Sequence, residues 1–260
     1  MIFATISAVL GLLLGVAYEE CVRRYVYESP LWTPPRPACP ECGRAHGWRE
    51  LLPVAGWFVM RGRCAGCGTR LPGRRVALEL CSGAWAALLA LRFGPSAAWA
   101  VYMVFGGALL VASFVDFELF ILPDRINLPG IPAAVLCHTF VLGGGGWGAN
   151  LQASLLGAAA GGGAFWVMQR LYRLVRDAEG VGTGDVKLMF LLGALLGVGM
   201  LPLMVCIAAL SSLAGSLFYI FRGRAGMQTR IPFGPFLSFG AMACILYGGR
   251  LWTWYLGAGG

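Results

Sequence analysis

Charge is scarce in this chain. Only 12% of its 260 residues are Asp, Glu, Lys or Arg, and among the twenty basic residues there is one lysine, Lys187. A soluble domain carries about 25% charged residues. That shortage, with 58% hydrophobic residues and a mean hydropathy of +0.72, excludes an ordinary soluble fold and identifies a polytopic membrane protein. No basic patch is interleaved with aromatics, so the net charge of +8 does not point to nucleic acid. "GVGTGD" superficially resembles a phosphate-binding loop, but no Gly-Lys-Ser/Thr follows and no βαβ context surrounds it. No positive charge precedes the first apolar run, Met1 to Ala17, as it would in a cleaved signal peptide; Arg23 and Arg24 come after it. The run is therefore expected to be a retained helix with its N-terminus outside. No internal repeat is present.

What is present is a series of apolar runs separated by arginines. After the first helix, 1–17, comes a polar segment, 18–75, holding ten arginines. Further spans are expected at 76–93, 96–115, 127–143, 150–171, 187–200, 201–221 and 232–256, about eight helices in all. The break within 187–221 rests on Gly197, Gly199 and Pro202. Alternate threading leaves only Arg92 and Arg250 near the far side, which makes 18–75 cytoplasmic. The expected class is all-α, with a small cytoplasmic insert at 18–75 and a membrane core at 76–260. The small-residue string "GAAAGGGA" suggests close helix packing.

Four of the nine cysteines form two knuckles, "CPECG" and "CAGCG". Cys39-x-x-Cys42 and Cys64-x-x-Cys67, each followed by glycine, have the spacing of a tetrahedral zinc ribbon. Four thiolates close the coordination shell, so the zinc would be structural. Disulfides are disfavoured by cytoplasmic placement. His46 reads as a solvated loop histidine rather than a further ligand.

The acids are few and placed at span ends. Asp116 is the first charge after more than twenty uncharged residues, and Asp124 follows in "LPD". Asp185 closes a glycine-rich loop at the threshold of an uncharged run from Leu188 to Phe221. Intramembrane acids are costly and are functional candidates by default. Paired carboxylates share a proton: the charged one can activate water while its partner protonates a carbonyl oxygen. Glycines around Asp185 (Gly180, Gly182, Gly184) would let an extended backbone approach. By residue chemistry alone, three readings stand: an aspartyl protease, a transporter with coupled carboxylates, and structural roles. In the last, Asp185 caps the helix beginning at Val186, Lys187 pairs with Asp185, and Asp124 sits in a turn.

Taken together these motifs resemble the bacterial type IV prepilin peptidases, intramembrane aspartyl proteases. "GVGTGDVKL" resembles their glycine-x-glycine-aspartate signature and "VDFELFILPDRINLP" their first aspartate motif. The zinc insert, "RRVALEL" and "IPFGPFLSFGA" match as well. The resemblance implies a bifunctional inner-membrane enzyme. It would cut the basic leader from type IV prepilins or type II secretion pseudopilins and then N-methylate the new terminus with S-adenosylmethionine. Asp116 and Asp185 would be the catalytic pair, with Lys187, Gly182, Gly184 and Asp124 in support and Cys39, Cys42, Cys64 and Cys67 on zinc. Glu118, Asp124 and Glu179 could attract the leader, and Arg75 with Glu79 reads as an i,i+4 helix pair. The chain departs from the family at "GVAYEECVRRYVYESP", where Glu19 and Glu20 replace an asparagine-containing stretch. Rival readings are a leader peptidase without methyltransferase activity and a proton-coupled transporter. Oligomeric state and the methyl-donor site are not readable from the sequence.

Overall fold

The computed structural model describes residues 1–27, 38–39, 41–176, 182–221 and 232–257; Glu179 and Gly180 lie outside them. Among the described residues the chain is helical, with no strand beyond two isolated bridges. By internal contacts it divides into two compact units, Met1–Leu119 and Phe120–Gly260.

The first unit contains α1 (Ile2–Val26), the short α2 (Ala55–Val59), α3 (Arg74–Phe93) and α4 (Ala97–Leu119). Helix α1 runs nine residues past Ala17, because charges after that point satisfy one another along the helix. Glu20 accepts from Arg23 and Arg24, at i+3 and i+4. A stripe of small residues, Ser7, Gly11 and Gly15, lets α1 lie close on α3. A Cβ at Gly15 would come 2.7 Å from the Glu79 Cα, and one at Gly11 would meet Ser82 and Ala86. The same approach allows cross-helix hydrogen bonds. Ser7 Oγ donates to the Ala86 carbonyl at 2.9 Å, and Ser82 Oγ to the Gly11 carbonyl at 2.7 Å.

The second unit contains α5 (Asp124–Cys137), continued by a π turn (His138–Leu142), then α6 (Trp147–Arg176), α7 (Thr183–Leu196), α8 (Leu201–Phe221) and α9 (Gly234–Gly257). Gly197, at φ +76, ends α7 where the glycine break is expected, and a 3₁₀ turn (Val198–Met200) leads into α8. Six stretches are long and apolar enough to cross a membrane: Ile2–Val26, Arg74–Phe93, Ala97–Leu119, Asp124–Leu142, Trp147–Val175 and Val198–Phe218. The other two expected spans are α7 and α9. With 14 residues α7 reaches about 21 Å, short of a hydrocarbon core of about 30 Å. Helix α9 is long enough, but carries three glycines and Arg250 within its 24 residues.

Helix α7 is buried against α6 through glycine. A Cβ on Gly157 would collide with the Gly193 carbonyl, and one on Gly193 with the Gly157 carbonyl. Gly161 and Gly162 continue the seam against Met189 and Phe190, so "GAAAGGGA" is a packing surface. Ser154 Oγ donates to the Ala194 carbonyl at 2.8 Å across the same seam. "IPFGPF" is a helix entry: the Phe236 and Leu237 N–H groups both bond the Phe233 carbonyl.

Because the Gly157–Gly193 approach has no room for a methyl group, Gly193→Ala is expected to destabilise the second unit by about 1–3 kcal/mol. The check is thermal unfolding in detergent, with Gly163→Ala, where a Cβ meets open space, as the silent control.

Candidate active-site acids and metal centre

The two knuckles fold alike. In the first, the Cys39 N–H bonds the Arg44 carbonyl and the Gly43 N–H bonds the Cys39 carbonyl, each at 2.9 Å. In the second, the Cys64 N–H bonds the Thr69 carbonyl and the Gly68 N–H the Cys64 carbonyl, again at 2.9 Å. Gly43 (φ +70) and Gly68 (φ +74) hold the left-handed turn that lets each pair of thiols converge. All four sulfurs lie within 4.8 Å of one another and could hold a metal ion. Cys39 and Cys67 Sγ are 3.6 Å apart, Cys42 and Cys64 Sγ 3.8 Å. A tetrahedron with metal–sulfur bonds of about 2.3 Å has edges of roughly 3.8 Å, so the spacing fits zinc. Thr69, through its hydroxyl and backbone, holds the Cys67 thiol down to about 6, and the Cys67 and Gly66 N–H groups lower Cys64, favouring the ligating thiolates.

His46 corrects the sequence reading, since it is not solvated. Its side chain is 9% exposed, with Nδ1 3.2 Å from Glu50 Oε2. Glu50 also accepts from the Gly47 N–H at 2.9 Å and Arg44 Nη2 at 3.0 Å. The Gly47 N–H, with His46 and Arg44, holds the Glu50 carboxyl below its usual range.

Asp116 is buried near the end of α4, in the first unit. Asp185 sits in the first turn of α7, in the second unit, where the helix dipole favours a negative charge. Its helix begins at Thr183, with Gly182 at the cap, rather than at Val186 as the capping reading has it. Gly182 leaves space beside the acid: a Cβ there would stand 3.2 Å from Asp185 Oδ2. Gly184 has a packing reason, since its Cβ would come 2.8 Å from the Leu122 Cβ. Lys187 pairs with Asp124, not with Asp185: Nζ donates to both carboxylate oxygens, at 2.7 and 2.8 Å. Positions two apart on a helix do not face each other, whereas Asp124 begins the neighbouring α5. Asp124 is thus a helix-start residue rather than a turn residue. The pair is half open to solvent, so its worth in water would be about 0–1 kcal/mol.

A network of buried charge at the α1–α3 end was largely missed from the sequence. Glu79 is fully buried and accepts from Arg75 Nε at 3.0 Å and from the Val54 N–H. Arg75 also donates to the Glu50 carbonyl at 2.8 Å. Val54 holds φ +60, a strained value for a β-branched residue, and its captured N–H keeps it there. Arg74, overlooked in the sequence, bridges Glu19 at 3.3 Å and Glu118 at 2.9 Å. The i,i+4 spacing of Arg75 and Glu79 is a local signal. Nothing local announces partners 55 residues apart, such as Arg74 and Glu19.

These features define a multi-pass membrane protein carrying a four-cysteine metal-binding cluster and isolated acids at helix ends. The sequence matches the bacterial peptidase A24 N-terminal domain over residues 9–93 and the type IV leader peptidase family over residues 103–220. It is 41% identical to a prepilin leader peptidase/N-methyltransferase of Burkholderia pseudomallei, an alignment covering 82% of this chain and 68% of the relative. It is 33% identical to those of Dichelobacter nodosus (84% and 73% covered) and Pseudomonas putida (96% and 93% covered). No solved structure matches. The chain belongs to the type IV leader peptidase family.

The buried pair yields a prediction with an ordering. Arg75→Ala strands the Glu79 carboxylate and is expected to cost about 3–5 kcal/mol, whereas Arg75→Ala combined with Glu79→Leu recovers much of the loss. Unfolding midpoints in detergent test it; a double variant no better than the single one would contradict it.

Proposed function

We propose that this protein is an aspartyl endopeptidase of the bacterial inner membrane that removes the leader from type IV prepilins or type II secretion pseudopilins and methylates the new α-amino group. The observation that carries the reading is family membership joined to the two acids, Asp116 and Asp185, each standing in the motif expected of it. In this reading the two carboxylates act together. One, ionised, takes a proton from water; the other, protonated, donates to the scissile carbonyl oxygen. Burial of Asp116 supports a role as the acid that holds the shared proton. Lys187, engaged by Asp124, places a positive charge on the helix that bears Asp185 and steadies its ionised form.

The functional division follows the chemistry: a first helix (1–17), an insert (18–75) organised by structural zinc on Cys39, Cys42, Cys64 and Cys67, and a peptidase core (76–260). The bias of arginines toward 18–75 supports placing the insert and the acid-bearing loops in the cytoplasm, beside a basic leader. S-adenosylmethionine would supply an electrophilic methyl group on a sulfonium. The chain's own task is then to hold the new amine, freed of its extra proton, in line with it.

Two measurements follow. Asp116→Asn and Asp185→Asn should each lower cleavage of an intact prepilin by about 10²–10⁴-fold while metal content stays at the wild-type level; cleavage surviving in either returns that residue to a structural role. Cys64→Ser should abolish bound zinc by elemental analysis and lower the unfolding midpoint, because binding free energy is folding free energy in so small an insert. Full metal occupancy in that variant would refute the four-cysteine site.

A further inference from the structure

The first unit holds a polar cavity that the peptidase chemistry leaves unused. It measures about 60 Å³ and is lined by Glu19, Glu20, Arg23, His46, Arg74 and Arg75, among others. Glu19 is only 9% exposed, and its Oε2 is shielded from solvent with no hydrogen-bond partner among the described residues. A buried carboxylate oxygen without a donor is costly, so the site is built for something that donates.

The distribution of charge says what kind of donor. Glu20 is met by two arginines, Arg23 and Arg24. Glu79 has Arg75 and the Val54 N–H. Glu19 and Glu118 share one guanidinium, Arg74, which lies nearer Glu118 (2.9 Å) than Glu19 (3.3 Å). Two carboxylates on one cation leave an excess negative charge at the Glu19 corner. Water could satisfy the oxygen's hydrogen bond but not that charge. The cavity would hold about two waters at roughly 30 Å³ each, which is room for an ammonium head and a carbon or two. A whole adenosyl sulfonium cannot fit inside it.

We propose that this cavity is a receptor for a primary ammonium group, which donates N–H bonds to Glu19 Oε2 and supplies the missing positive charge. The inference rests on the proposed function, because that reading brings three such groups to the enzyme: a lysine of the basic leader, the α-ammonium of the cleaved pilin, and the α-ammonium of the methyl donor. The chemistry of recognition is the same for all three.

The test compares full-length, zinc-loaded wild type with Glu19→Gln in three assays. These are cleavage kinetics on an intact prepilin, equilibrium dialysis of S-adenosylmethionine, and methyl transfer to a pre-cleaved pilin at saturating donor. Loss of one charge-assisted contact should weaken one arm by about tenfold or more and spare the others. A raised KM for cleavage, absent when the leader lysine is replaced by glutamine, identifies the leader. Lost affinity in dialysis identifies the donor. A raised KM for the pre-cleaved pilin, with donor affinity intact, identifies the new terminus. Glu118→Gln touches no wall of the cavity but releases Arg74 to Glu19, and should weaken the same arm; it also decides the question should Glu19→Gln fail to fold. Both variants within about twofold of wild type in every arm overturn the receptor while leaving the peptidase reading intact. A folded wild type inactive in every arm sinks both.

Discussion

A carboxylate buried completely has to be met on every side, and Glu79 imposes that condition on the first unit. Its two oxygens are taken by Arg75, one turn earlier on the same helix, and by the backbone N–H of Val54, twenty-five residues upstream. Arg75 in turn reaches the Glu50 carbonyl. One ion pair on α3 therefore grips the insert at two backbone points. The small residues of α1 then close over it, Gly15 lying directly on Glu79. Such a pair contributes little net stability against an apolar replacement, but breaking half of it is severe. Its effect is to fix where the insert sits on α3.

In the second unit the corresponding constraint is steric. Helix α7 carries Asp185 and Lys187 at one end and is too short to be placed by the bilayer alone. Its position comes from glycine carbonyls on α6, from Leu122 against Gly184, and from Asp124 on Lys187. The glycine-rich signature is thus partly a packing device. Gly184 allows close approach of a neighbouring side chain, while Gly182 keeps space open beside the acid.

What could be read in the sequence was local. The two knuckles follow from Cys-x-x-Cys-Gly, because a left-handed glycine closes each turn within five residues. The end of α7 follows from Gly197, and the i,i+4 pairing of Arg75 with Glu79 from helical spacing. The extent of α1 was misjudged because the apolar run stops at Ala17, while the helix goes on by pairing its charges internally. Lys187 was matched with the nearest acid in sequence, yet helix rotation turns it toward Asp124, 63 residues away. His46 looked solvated because its burial depends on how the insert folds over Glu50. Arg74, bridging Glu19 and Glu118, has no local signature at all.

The anchoring of the insert also ranks its parts. Its C-terminal half is moored to α3 through Val54 and Glu50, independently of any metal, whereas the knuckles at Cys39–Cys42 and Cys64–Cys67 are joined to each other by sulfur alone. Opening of this unit is therefore stepwise. Stripping the metal would release the outer knuckles first, exchanging their amide hydrogens rapidly, while the amides around Val54 and Gly56 stay protected until α3 itself gives way.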